Sequence, residues 1–237
     1  MTIPDWQLPP GVDRGLWDYL HSGEMVAGYD EQMAASPLAQ ADVAFCERWF
    51  PTPGKLLDMG CGTGRLCLHF ANKGFGCVGV DLSDEMLEKA RAASGFACQF
   101  LQANLVDLAE FPDATFDCAA CLFSTLGMVR GHENRAKVIA NAFRLLKPGG
   151  RFVLHVHNRY FRGLRWRNWR KSDITMSQAY GGAPLTLHHF SQGEATSLLR
   201  DAGFVLDEVR AVDVEGGLAK WPRTLRAYGY LIAAHSS

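Results

Sequence analysis

No apolar stretch in this chain approaches the roughly 20 residues that cross a bilayer. The opening Met1-Thr2-Ile3-Pro4-Asp5-Trp6 carries no basic-then-apolar leader, so a cytoplasmic location is the default expectation. There is no surplus of charge either. Lys and Arg number 24 against 25 Asp and Glu, a formal net charge of -1, which gives no general attraction to nucleic acid or to an anionic membrane. The cysteines are odd in number, 7, and scattered over positions 46, 61, 67, 77, 98, 118 and 121, which does not resemble a disulfide framework and fits a reducing compartment. Cys118 and Cys121 make a C-x-x-C, but they fall within an apparent strand, Phe116 to Leu122, where residues three apart face opposite sides of a sheet. They read as two core thiols. No carboxylate or cysteine stands at a ligand-like spacing from the His188-His189 pair, so no metal is expected.

What the chain does have is 237 residues, 48% hydrophobic and 21% charged, enough to bury a substantial core as one domain. Its organising stretch runs from Lys55 to Ser83. Leu56 and Leu57 lead to Asp58; Gly60, Gly62 and Gly64 then alternate with Met59, Cys61 and Thr63 before the helical apolar pattern of Leu66, Cys67, Phe70 and Ala71. This is a strand, a glycine turn and a helix. Glycines admit the positive φ of tight turns and let a ligand approach the backbone, and the helix start adds free N–H groups. After Gly74, the short apolar strand Cys77 to Val80 delivers Asp81 to the sheet edge, where a carboxylate can accept both hydroxyls of a ribose. The dinucleotide fingerprint G-x-G-x-x-G would place its third glycine where Arg65 stands, so a nucleoside site is expected with its cofactor still open.

The remaining pattern alternates helix and strand. Ser83 caps a helix whose buried face is Met86, Leu87, Ala90 and Ala93; a strand from Ala97 then enters the polar loop around Asn104. Phe116 to Leu122 is a buried strand followed by Phe123-Ser124-Thr125-Leu126-Gly127 at its carboxyl end, where open α/β sheets bind ligands. His132 to Leu146 is an amphipathic helix closed by Lys147-Pro148-Gly149-Gly150. In the next strand, Arg151 to Asn158, His155 and His157 share a face with Val153, opposite Phe152, Leu154 and Val156. A histidine there can take a proton near neutral pH, and His157 is the candidate general base. Arginines and aromatics interleave from Arg159 to Lys171. Near the amino end, Gly15 to Leu20 and Leu38 to Phe50 are expected helices, and Arg223 to Ala234 a last strand.

The G-x-G-x-G spacing after Asp58, joined to LLKPGGRF far downstream, resembles the class I S-adenosylmethionine (SAM) methyltransferases over about residues 40 to 234. The resemblance implies a single Rossmann-like three-layer α/β domain over 1–237, with a seven-stranded, mostly parallel sheet and an antiparallel C-terminal strand. Residues 1–50 would form a helical lid and 159–186 a substrate cap. It implies SAM, released as S-adenosylhomocysteine, as cofactor, held by Asp58, Gly60, Cys61, Gly62, Gly64, Asp81, Leu82, Asn104, Leu105 and Leu122, with Tyr29 reaching over from the lid. Asn104 would meet the adenine. Phe123, Arg159 and Tyr160 are the expected acceptor contacts. Motifs of base-methylating enzymes are absent, which points to methyl transfer onto oxygen or nitrogen of a small polar metabolite. An NAD(P)-dependent oxidoreductase, or a methyltransferase-like module holding RNA or an anionic surface through the basic run, are the alternatives.

Overall fold

The computed structural model describes residues 3–161, 172–176, 184–221 and 223–237. Three helices open the chain: α1 (Arg14–Leu20), α2 (Gly23–Ala34) and α3 (Pro37–Trp49). Asp13 and Ser36 cap α1 and α3 by accepting the N–H of Leu16 and Ala39. The segment around Tyr29, between the two helices expected within the lid, is the body of α2.

Strands and helices then alternate through β1 (Lys55–Met59), α4 (Arg65–Ala71), β2 (Gly76–Asp81), α5 (Asp84–Ser94), β3 (Cys98–Gln102) and β4 (Phe116–Cys121). They continue with the short α6 (Thr125–Met128), α7 (His132–Leu145) and β5 (Leu146–His157). An antiparallel hairpin, β6 (Asp173–Met176) with β7 (Leu185–His188), is inserted before α8 (Gln192–Asp201) and β8 (Phe204–Val212). One helical turn, α9 (Arg223–Arg226), precedes β9 (Gly229–Ser236). The last strand is therefore shorter than expected and preceded by a turn of helix. It starts at Gly229, where a β-carbon would stand 2.7 Å from His155 Nε2 and from the Val156 carbonyl.

The seven-stranded sheet has the order β3-β2-β1-β4-β5-β9-β8. β1 to β5 pair in parallel, and β9 runs antiparallel to both β5 and β8. That inserted antiparallel strand departs from the all-parallel dinucleotide-binding arrangement. Both faces of the sheet are covered, which is why its central strands read as apolar runs. Leu57, Met59, Ala119, Cys121, Phe152 and Leu154 pack toward α7 and α8, while Leu56, Cys118, Ala120 and Val153 pack toward α3, α4 and α5. Cys118 and Cys121 accordingly lie in opposite layers, as the period of a strand requires. Among the described residues no helix is long and apolar enough to cross a membrane. Arg162 to Lys171, the body of the basic aromatic run, lie outside the described residues.

Candidate active site

The carboxyl ends of the parallel strands meet the N-terminal helices and the hairpin around two cavities. The first, of about 100 Å³, is lined by Gly60, Gly62, Asp81, Leu82, Met86, Asn104 and Leu105, with Pro10, Gly11, Val12 and Leu16 facing them. The second, of about 290 Å³, takes in Asp58, Cys61, Arg65, Leu122, Phe123, His157, Phe161, His189 and Tyr228. Tyr19, Tyr29, Gly60, Thr125 and Met128 line both, so the cavities meet at these five residues.

The three glycines of the turn have positive φ, 80° at Gly60, 53° at Gly62 and 82° at Gly64, but they are glycine for different reasons. A β-carbon on Gly60 would lie 2.3 Å from Thr125 Cγ2, and one on Gly64 would lie 2.7 Å from Phe100 Cζ. These two close internal packing. At Gly62 the nearest atoms are those of Tyr29, at 3.4 Å, and the space beside it belongs to the cavity. Gly64 lines neither cavity, so its expected place against the cofactor becomes a packing role.

The turn's own donors are turned toward strand β2. Gly60 and Cys61 N–H both reach the Val80 carbonyl, at 2.8 and 3.1 Å, and Gly64 N–H bonds back to Cys61. Gly62 N–H donates to Asp81 Oδ2 at 2.8 Å, while Ser83 N–H donates to Oδ1 at 2.9 Å. Asp81 is thereby aimed by two backbone bonds, each oxygen keeping lone pairs for a diol. Burial raises its pKa, and the amides of Ser83, Gly62 and Leu82 pull the other way.

Asp58 is buried within β1 and its pKa rises to about 7: burial is the main cause, Arg65 lowers it and Asp81 adds repulsion. Cys67 Sγ, 3.8 Å from Oδ2, is its hydrogen-bond donor. A carboxylate held this way favours a cationic partner. Arg65, the first residue of α4, supplies the opposite sign in the same cavity; it donates to the Ala39 carbonyl at 2.6 Å and stands 3.8 Å from Asp42. Arg65, which the glycine spacing showed only as a missing third glycine, is a cavity-lining residue that sequence reading did not single out. Tyr29 projects from α2 into the junction, and burial pushes its phenol up.

Asn104 lines the first cavity, but its amide is already bonded: Nδ2 donates to the Pro10 carbonyl at 2.8 Å and Oδ1 accepts from Val106 N–H at 3.0 Å. The first of these bonds tethers the N-terminal segment across the cavity, and the two together leave Asn104 one N–H and one acceptor position. Gly11 O, accepting from Arg130 N–H at 2.8 Å, is the second tether.

At the far end of the second cavity, Phe123 and Ser124 both take left-handed backbone, φ 51° and 62°, a strained pair of the kind found at functional sites. Ser124 binds β5 twice: its N–H donates to the His155 carbonyl at 3.0 Å and its Oγ accepts from His157 N–H at 3.3 Å. His157 thereby faces the cavity with neither ring nitrogen hydrogen-bonded within the described residues. Burial, with His155 and His189 close by, drives its pKa well below the ordinary value. His155, fully buried, lies behind it with Nδ1 2.7 Å from Asp42 Oδ1. It belongs to the interior and lines neither cavity.

His189, just after β7, entered the sequence reading only as half of a pair with no metal expected. Its ring centroid is 5.7 Å from that of His157, and Tyr228 lies 4.7 Å from His157 on the other side. Of the expected acceptor contacts, Phe123 lines the cavity, whereas Arg159 and Tyr160 do not. Tyr160 is 39% exposed with Arg159 stacked on it at 5.2 Å, and Phe161 takes the inward position. The strand ends at His157, and Asn158, bonded to the Ala227 carbonyl, turns the chain before Arg159. Among the described residues no cluster of three metal-ligating side chains occurs.

Residues 56–150 match a family model described as a methyltransferase domain. YqeM of Bacillus subtilis, itself only provisionally named a methyltransferase, is 33% identical over 134 residues, 56% of this chain and 53% of that protein. The S-adenosyl-L-methionine-dependent Diels-Alderase iccD of Talaromyces variabilis is 32% identical over 171 residues, 68% of this chain and 56% of that protein. The chain thus spans about half the length of these curated relatives. A SAM-dependent methyltransferase structure from Methanosarcina mazei superposes with a TM-score of 0.68 at 24% identity, over 81% of this chain and 96% of the other, a likeness of fold. The chain thus carries a methyltransferase domain over residues 56–150, and with a sheet whose one antiparallel strand sits second from the edge it is similar in sequence and fold to S-adenosylmethionine-dependent methyltransferases.

Proposed function

We propose that this chain transfers a methyl group from SAM to an oxygen or nitrogen of a small molecule. The observation that carries the reading is the meeting of the two cavities at Tyr19, Tyr29, Gly60, Thr125 and Met128, with a ribose acid in one and a proton acceptor in the other. SAM supplies an electrophilic methyl on a cationic sulfur. The residues present suit its parts: Asp81 the ribose hydroxyls, Leu82 and Leu105 the flanks of the base, and Gly62 the backbone approach. Asp58 and Arg65 suit the ammonium and carboxylate of the amino-acid end.

His157 and Phe123 lie across the junction, where the nucleophile would be held. Most of the acceleration expected from such a site is positioning, since bringing the two reactants into line removes entropy from the barrier. His157 accepts the proton when the nucleophile arrives carrying one. Helices α1 and α2 cover the junction and would keep water from the sulfonium.

Calorimetry with S-adenosylhomocysteine tests the cofactor half: binding that is absent, or unaffected by Gly62→Arg and Asp81→Ala, overturns the reading. A screen of metabolites with methyl-labelled SAM tests the transfer.

A further inference from the structure

The described lining of the second cavity holds one carboxylate and one guanidinium, Asp58 and Arg65, which the methyl-transfer reading assigns to the amino-acid end of the cofactor. Much of the rest of the lining is aromatic, aliphatic and thioether: Phe123, Phe161, Tyr228, Met128, Met176 and Leu187 are representative. Flat rings and polarisable sulfur together favour an aromatic guest.

Among the polar side chains of the described lining, which include Tyr19, Tyr29, Gln32, Thr125 and Tyr228, are two imidazoles, His157 and His189. His189 Nδ1 lies 3.2 Å from the Leu187 carbonyl, which can only accept, so Nδ1 carries the proton and Nε2 is left as a lone pair. His157, 5.7 Å away between ring centroids, has no hydrogen-bond partner on either nitrogen within the described residues. Burial holds both rings neutral, His189 at about 4 and His157 also far below its ordinary range. Each of these two rings therefore offers one hydrogen-bond acceptor without a charge.

That combination discriminates among acceptors. Within the described lining an ammonium would be desolvated beside a sulfonium with no anion left to pair with it, and a carboxylate would find no cation beyond Arg65, which the cofactor engages. An unpaired buried charge is strongly disfavoured. An uncharged hydroxyl on an aromatic body meets neither penalty, and its O–H has an acceptor waiting.

Building on the methyl-transfer reading, we propose that the acceptor is an uncharged aromatic hydroxyl compound, seated among Phe123, Phe161 and Tyr228 with its O–H donated to the His157–His189 pair. In the transfer the hydroxyl oxygen forms the new C–O bond while the C–S bond breaks and its electron pair returns to sulfur. The proton passes to an imidazole nitrogen and is later lost to water. His189, invisible as a site residue in the sequence, becomes a specificity-determining one.

The experiment is titration of the S-adenosylhomocysteine complex with four probes of one shape: 2-naphthol, 2-methoxynaphthalene, 2-naphthoate and the ammonium 2-(aminomethyl)naphthalene. The expected result is 2-naphthol binding at least tenfold tighter than the other three, and a His189→Phe variant that keeps its cofactor affinity but loses the preference for 2-naphthol over the methoxy compound. Equal or tighter binding of either charged probe overturns the proposal, as does a 2-naphthol affinity no better than that of 2-methoxynaphthalene, or no binding of any probe. A preference undiminished in His189→Phe removes His189 from the site. Failure of S-adenosylhomocysteine itself to bind is a separate outcome, which would take down the methyl-transfer reading and this one with it.

Discussion

Tyr29 stands 3.4 Å from the position a β-carbon on Gly62 would occupy, so helix α2 and the glycine turn confront each other across the gap where the two cavities join. A side chain added at Gly62 enters ligand space, whereas one added at Gly60 overlaps Thr125 at 2.3 Å. Gly62→Ala is expected to lose about 1–2 kcal/mol from the left-handed backbone alone and to weaken S-adenosylhomocysteine at least tenfold. Gly60→Ala is expected to lose about 3 kcal/mol or more, since clash is added to strain. Thermal melts and calorimetry on the two variants separate these effects; equal melting losses would contradict the division of labour.

Asp58 predicts how cofactor binding responds to pH. With its pKa near 7 in the free protein, the carboxyl must release a proton before it can pair with the cofactor's ammonium. S-adenosylhomocysteine affinity should be level just above pH 7 and fall about tenfold per unit below it. The free protein obeys the opposite sign: a folded pKa raised above the unfolded value stabilises below about pH 4, and that contribution is lost as pH rises through 7. Asp58→Asn should therefore flatten the binding profile and raise the melting temperature of the free protein at pH 8.

Arg65 is expected to act on the amino-acid end of the cofactor alone. Arg65→Met should weaken S-adenosylhomocysteine roughly tenfold or more, the scale of one charge-assisted bond, yet leave 5′-methylthioadenosine, which has no amino-acid moiety, within twofold of its original affinity. Parallel losses for both ligands would assign Arg65 to structure, through Ala39 and Asp42, instead of to binding.

His157 carries a signature in stability. Its folded pKa lies well below the unfolded value, so the unfolded chain takes up a proton first and stability falls as pH drops below about 6.5. His157→Phe should reduce the difference in melting temperature between pH 7.5 and pH 5. The turnover of a hydroxyl acceptor at saturating SAM should show no titration near 6.5, because the ring is already neutral there; an inflection at that pH would place His157 in a wetter setting than the fold gives it.

The legible parts of the site are those whose partners are close in sequence. Asp58, the turn and Asp81 form one strand-turn-helix-strand unit, and local rules of chain reversal and capping were enough to place them. The same rules did not single out α2 within the helical lid, because Gly23 and Gly28 weaken its helical signal and its apolar face matters only once α5 and the hairpin are packed beside it. They also ran α9 and β9 together, since the break is imposed by His155 and Val156 crowding Gly229 from the neighbouring strand. Asn104 was placed correctly in the chain and given an overly free side chain, because its partner, Pro10, is 94 residues away.

What the amino-acid order determined by itself is the nucleoside half: a periodicity of two and then 3.6, glycines where φ is positive, and an acid at the next strand's end, all short-range consequences of backbone geometry. The acceptor half was decided only by tertiary structure. His157, His189 and Tyr228 come from a strand end, an inserted hairpin and the loop before β9, and no local signal links them. Arg65 likewise gained its role from the cavity that Asp58 and helix α3 close around it. Specificity in such a pocket arises from groups brought together by the packing of distant segments, and their charge states are set by a burial that does not exist until the chain has folded.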